Sequence, residues 1–108
     1  MNRGELWTAA GGVYASKPRP VLIVQDDRFD ATDSLVVVPL TTHPVDATLA
    51  RVPIPADAVS GITQDSYAMV DKITTVRRSN LGGRTGRASA AQLVEIERAL
   101  LVFLGIAG

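Results

Sequence analysis

The chain has 108 residues, a length for one domain, spanning 1–108, with a single modest core. Its 11 basic and 11 acidic residues balance, which excludes a protein that coats nucleic acid by bulk attraction; any such contact must use a local patch. There is no cysteine and one histidine, His43, so disulfides, thiol catalysis and zinc–thiolate sites are excluded, as is a two-histidine ribonuclease site within one subunit. No cofactor and no metal are expected. The apolar content of 46% predicts folding rather than disorder. The opening Met1-Asn2-Arg3-Gly4-Glu5 has no apolar signal region and no run approaches a membrane span, so the cytoplasm is the expected location.

In chain order, Glu5 to Ala10 alternates as a first strand, and Gly11-Gly12 opens a loop expected to run through Ser16 and Lys17. Val21 to Gln25 is apolar on both faces and reads as a central, buried strand. A polar loop from Asp26 to Ser34 leads to a third strand, Leu35 to Leu40. Leu49 to Ile54 contains Pro53 and reads as an edge strand. A turn of helix or a loop is expected over Ala56–Gly61, and one long or two short strands over Tyr67–Val76. Leu81-Gly82-Gly83 reads as a turn before a last short strand, Arg84 to Arg87.

The tail is a helix. Ser89 is its N-cap, Gln92 completes a capping box, and Gly105 is the stop. Leu93, Ile96, Leu100, Phe103 and Leu104 form one apolar stripe, while Val94, Leu101 and Val102 lie outside it. A terminal helix on a small domain has one face to bury in its own core, so the surplus points to a homodimer. Short strands, turns and one helix together predict a mainly β fold with α content: a small SH3-like β-barrel with a C-terminal helix.

Arg19 stands between Pro18 and Pro20, at the mouth of the second strand, and a residue before proline is held extended. It either clamps a phosphate and offsets charge that develops there, or is a surface arginine at a strand edge. Thr41, Thr42 and His43 follow a buried strand directly: a hydroxyl donates to phosphate and an imidazole exchanges protons near neutral pH, while a solvated turn ended by Pro44 is the plainer reading. Arg77, Arg78, Arg84 and Arg87 form the chain's one run of cations, suited to a phosphate backbone or to a solvated face. Asp26, Asp27, Asp30 and Asp33 lack a calcium loop's glycine and closing glutamate and read as a solvated loop. Trp7 reads as core, although Trp7 and Tyr67 are of the kind that stacks on bases.

Five segments, in order, resemble one family. Arg3-Gly4-Glu5-Leu6-Trp7 resembles the "RGEIW" opening of MazF/PemK-type toxins of toxin–antitoxin systems, and Arg19-Pro20-Val21-Leu22-Ile23-Val24 resembles their "RPVLVV". Val37-Val38-Pro39-Leu40-Thr41-Thr42 is similar to "VVAPITS", Asp71-Lys72-Ile73-Thr74-Thr75-Val76 to "DQIRTV", and Gly86-Arg87 with the helix ending Leu104-Gly105 to the family's close. The resemblance implies a homodimeric, metal-independent endoribonuclease cutting single-stranded RNA, often mRNA, to 2′,3′-cyclic phosphate and 5′-hydroxyl ends, held in check by a cognate MazE-like antitoxin. The family's catalytic arginine and threonine fall on Arg19 and Thr41. Lys17, Thr42, His43, Asp71, Lys72 and Arg77 are then expected to contact RNA. Lys72 and Thr74 stand where many relatives have Gln and Arg, and Met69 where some carry an arginine. Two other readings stay open from the residues: a CcdB-like toxin of the same fold that poisons gyrase, and a non-catalytic SH3-like binding module.

Overall fold

A computed structural model describes residues 1–11, 15–44 and 50–107. The chain forms seven strands, β1 (Glu5–Gly11), β2 (Ala15–Ile23), β3 (Ser34–Thr41), β4 (Arg51–Ile54), β5 (Ser66–Met69), β6 (Thr74–Arg77) and β7 (Leu81–Arg87), then one helix, α1 (Ala90–Phe103). The antiparallel order is β4-β5-β3-β2-β1-β7, with β6 also on β3. Among the described residues β4 and β7 share no ladder, so the expected barrel is a curled sheet not closed by hydrogen bonds. Short 3-10 turns at Asp27–Phe29, Val70–Lys72 and Arg78–Asn80 join the strands.

Both faces of the central strands are buried, which accounts for their unbroken apolar runs. Leu22, Val38 and Leu40 point to one core with Leu6, Val52, Ile54, Val70 and, from the helix, Ile96 and Ala99. Their neighbours Val21, Ile23, Leu35 and Val37 point to a second core with Ala9, Val76 and Leu81, against which Trp7 packs. The core reading of Trp7 holds, and its indole N–H donates to Glu5 Oε1 at 3.0 Å.

Two expectations about loops are corrected. Gly12 lies outside the described residues, but the chain is already in β2 from Ala15, so Lys17 and Arg19 sit within a strand rather than before one. Pro18 and Pro20 are accommodated in the strand because a proline's φ suits extended backbone and its missing N–H needs only a place where no ladder bond is required. Gly82 and Gly83 lie inside β7 rather than in a turn. There Gly83 N–H donates to Thr8 Oγ1 at 3.1 Å, and a Cβ on Gly82 would come within 2.8 Å of the same oxygen. The stretch Tyr67–Val76 resolves into two short strands, and β4 with Pro53 is an edge, as expected.

The helix is capped at both ends. Ser89 Oγ accepts from Gln92 N–H at 3.1 Å and Gln92 Oε1 accepts from Ser89 N–H at 2.7 Å. Gly105, at φ 71°, ends it: Ile106 N–H reaches Leu101 O and Gly105 N–H reaches Val102 O, the Schellman arrangement. The apolar stripe is shorter than its spacing implied. Ile96 and Ala99 are buried and Leu93 and Leu100 pack on the core, whereas Phe103 and Leu104 are 50% and 53% exposed. A 14-residue helix is about 21 Å long and the four-residue β4 beneath it about 13 Å, so the last turn overhangs the sheet.

The Arg3-Gly4-Glu5-Leu6-Trp7 segment is structural throughout. Arg3 donates to Val24 O and pairs with Glu97 of the helix. Gly4, at φ 90°, donates its N–H to Ile23 O at 2.7 Å. Leu6 is in the core, and Glu5 holds both the Trp7 indole and Arg84.

Candidate active site

A proline opens the site by ending a ladder. β2 and β3 pair at Ile23–Val37, Leu22–Val38 and Val21–Pro39, and there the ladder stops: Pro20, whose backbone faces β3, brings no N–H to continue it, while Pro39 removes an N–H from the opposite edge of β3. Carrying the register two residues further sets Arg19 opposite Thr41. The two strands part at this point and a cleft of about 350 Å³ opens, lined by Arg19, Pro39, Leu40, Thr41, Met69, Lys72 and Thr74. That volume is at the small end of ligand-binding pockets, which start at about 300 Å³. The two residues that the sequence placed at separate strand ends therefore share one site.

The far wall comes from an interruption on the opposite edge of β3. Its early half pairs with β6, Ser34 to Val37 against Arg77 to Thr74, and its end pairs with β5, Leu40 and Thr41 against Ala68 and Tyr67. The 3-10 turn Val70–Lys72 fills the gap between these ladders and brings Met69, Lys72 and Thr74 to the cleft. These are the three positions at which the chain departs from the resembling family's residues, so the departures fall on the cleft wall itself.

Within the cleft, Thr41 Oγ1 accepts the backbone N–H of His43 at 3.2 Å. A hydroxyl that accepts from the backbone keeps its own proton free to donate, and Thr41 lines the cleft. Arg19 and Lys72 are exposed cations on opposite walls, so an anion entering between them meets positive charge on two sides. The lining holds no carboxylate. Asp71, expected to contact RNA, is engaged elsewhere: both its oxygens meet Arg51 of β4, at 2.8 and 3.1 Å. The Arg51 guanidinium holds its carboxyl below the usual carboxylate range, so it is ionised at neutral pH. Arg51 is the residue that the sequence reading missed. Its only signal was an edge-strand position, and its partner lies twenty residues away with no local pattern to join them.

The remaining expected residues divide by position. Lys17, two residues before Arg19 in β2 at an irregularity in its pairing with β1, is exposed. Thr42 and His43 are exposed immediately beyond Thr41. Arg77 is not brought to the cleft: it pairs with Ser34 at the other end of β3, roughly 23 Å along the strand from Thr41. It lines a separate, broad depression with Ala31, Thr32, Asp33, Ser34, Arg78 and Ser79. The run of four arginines does not form one face. Arg78 spends its donors on the carbonyls of Asp30 and Thr32, Arg84 pairs with Glu5, and Arg84 and Arg87 border a third depression beside Arg3. Among the described residues no three His, Asp or Glu side chains gather as a metal-binding group.

The seven-stranded antiparallel sheet with its one C-terminal helix makes this a small, mainly β domain with a cation-bordered cleft, and the family can be assigned. Residues 2–104 match the PemK-like, MazF-like toxins of type II toxin–antitoxin systems, and the chain belongs to that family, a family of RNA-cleaving toxins. It is 55% identical over 109 residues to a protein of Mycolicibacterium smegmatis described as a probable endoribonuclease MazF, covering 100% of both chains. Endoribonuclease MazF9 of Mycobacterium tuberculosis is 30% identical over 116 residues, with 98% of each chain covered. Among solved structures, an endoribonuclease in complex with its cognate antitoxin from a mycobacterial species superposes with a TM-score of 0.81 at 27% identity, covering 100% of this chain and 98% of that one. The chain is thus an endoribonuclease-type toxin of a type II system, and neither the gyrase-poisoning reading nor the silent binding module is retained.

Proposed function

We propose that the cleft cuts single-stranded RNA by internal transesterification, with Arg19 and Thr41 as its catalytic residues. The single observation that supports this most is the register of β2 on β3, which sets Arg19 opposite Thr41 where the ladder ends. The 2′-oxygen attacks the neighbouring phosphorus, the bond from phosphorus to the 5′-oxygen breaks, and a 2′,3′-cyclic phosphate and a 5′-hydroxyl result. Arg19 binds two phosphate oxygens with its planar fork and offsets the charge that builds as the phosphorus becomes five-coordinate. The Thr41 hydroxyl donates to the same phosphate, and Lys72 faces it from the other wall. Lys17, Thr42 and His43 extend the contact along the strand exits. His43, exposed beside Thr41, is proposed as an auxiliary group that takes the proton from the attacking 2′-oxygen, with water returning one to the leaving 5′-oxygen, because an arginine is a poor base.

Since Arg19, Lys72 and Thr41 supply the electrostatics, cleavage of a long RNA is expected to proceed in EDTA and to leave 5′-hydroxyl ends. Loss of cleavage on chelation, or 5′-phosphate products on end mapping, would sink this mechanism.

The active form is proposed to be a homodimer joined through the overhanging end of α1. Leu101, Val102, Phe103, Leu104 and Ile106 are all exposed there, a contiguous apolar surface unusual on a soluble monomer. Sedimentation at micromolar concentration should return twice the chain mass, and Phe103→Glu should halve it; a wild-type monomer would remove the argument.

We place the toxin in the cytoplasm, in keeping with an RNA target; no helix among the described residues is long and apolar enough to cross a membrane. Its partner there is proposed to be a cognate antitoxin with an acidic, partly disordered segment that lies over Lys17, Arg19 and Lys72 and occludes RNA directly. Saturating antitoxin should then abolish binding of a non-cleavable RNA, and unchanged RNA affinity would exclude direct occlusion.

A further inference from the structure

We infer that Arg51 is a positioning residue of the RNA cleft, acting by masking the charge of Asp71 and bracing the turn that carries Lys72. The inference rests on the cleft's assignment to RNA above and concerns residues that do not line it. Arg51 lies on the edge strand β4, its side chain only 11% exposed, and its guanidinium grips both oxygens of Asp71. Val70 N–H donates to Ala50 O at 2.8 Å, so the turn Val70–Lys72 is tied to this segment through backbone and side chain together. The next residue, Lys72, is the cleft's second cation.

The chemistry of this arrangement is specific. An unpaired carboxylate at position 71 would attract the adjacent Lys72 ammonium out of the cleft and repel the phosphates it is meant to hold. A bidentate guanidinium removes both effects and fixes the carboxylate on the side away from the cleft lining. Among the described residues no other cation bonds Asp71. Neutralisation is therefore the task, and removing either charge alone has opposite consequences for RNA.

The test measures binding of a mixed-sequence, 2′-O-methylated single-stranded oligonucleotide, which lacks the attacking hydroxyl, together with the rate of cleavage of a long RNA. Arg51→Met keeps much of the side-chain volume but exposes the Asp71 charge; it is expected to weaken binding about three- to tenfold at low salt, less at high salt. Asp71→Asn leaves Arg51 unopposed and is expected to tighten binding by about twofold or leave it equal. The double variant Arg51→Met, Asp71→Asn should bind within about twofold of wild type, because the site is again neutral. Arg28→Met, which removes the same charge from an exposed pair with Asp26 away from the cleft, controls for net charge and should change binding little.

If the double variant binds as weakly as Arg51→Met while its melting temperature is retained, Arg51 contacts RNA itself and masking is wrong. If Asp71→Asn weakens binding, Asp71 contacts RNA and the inference is equally overturned; this variant stays informative should Arg51→Met fail to fold. Failure of the cleft assignment looks different: Arg19→Ala would then leave both binding and cleavage unchanged.

Discussion

Arg19→Ala is expected to lower the rate of RNA cleavage by about two to three orders of magnitude while leaving the melting temperature within a few degrees of wild type. Removing one preorganised donor from a developing oxyanion typically costs about 3–4 kcal/mol of transition-state stabilisation. The side chain is exposed and makes no ion pair among the described residues, so the fold loses little without it. Lysine should be a poor substitute, because a point charge on a flexible stem does not reproduce the two parallel bonds of a guanidinium. Thr41→Val, nearly equal in volume, should lose activity for want of a proton to donate, and it also removes the acceptor of the His43 N–H. An Arg19→Ala enzyme that cuts at the wild-type rate would mean that the chemistry takes place elsewhere on the surface.

Gly61→Ala is expected to destabilise the protein by about 3 kcal/mol or more, enough to drop the melting temperature by roughly 10–20 °C at fixed protein concentration. Two effects coincide at this residue. Its φ of 67° disfavours any side chain, and a Cβ there would lie 1.9 Å from the carbonyl oxygen of Thr85. Backbone of the segment after β4 presses directly on β7: Arg87 N–H donates to Val59 O, and Thr85 Oγ1 donates to Ser60 O. Gly86, on the opposing strand, has the steric constraint without the positive φ, with Val59 O and Ser60 O at 2.2 and 2.4 Å from where its Cβ would be. Thermal melting of either alanine variant within 2 °C of wild type would show that the two backbones are not so close.

The parts of the fold legible in the sequence were those governed by local patterns. The capping box at Ser89 and Gln92 involves four consecutive residues, and the both-faced apolar run at Val21–Ile23 reports burial on two sides without reference to any partner. What escaped depends on a partner strand. Lys17 was read into a loop opened by Gly11-Gly12, and Gly82 into a turn, yet both lie in strands, which pairing with a neighbouring strand decides and local composition does not. The overhang of Phe103 and Leu104 is set by the length of β4, which helical periodicity does not encode.

The site divides in the same way. Arg19 and Thr41 were legible as polar residues at the ends of apolar runs, and the resemblance joined them; what joins them physically is the register of β2 on β3. Arg77 was grouped with the cleft through its place near Asp71 and Lys72 in the chain. Since β6 runs antiparallel to β3, each residue after Thr74 moves away from Thr41, and three residues suffice to take it out of reach. Arg51 was invisible because ion pairs between an edge strand and a turn leave no periodic trace.

The strand order also bears on when this protein acquires its fold. β1 is flanked by β2 on one side and by β7 on the other, and Glu5 faces Arg87 across that last ladder. The first strand of this sheet in chain order thus completes its pairing only with the last. Contacts that close so much of the chain are slow to form, because the entropy of loop closure must be met before they contribute. Until Leu81 and the residues after it have emerged, one edge of β1 stands open and Leu81 is missing from the second core. A nascent chain of this toxin therefore lacks the finished sheet until β7 has emerged.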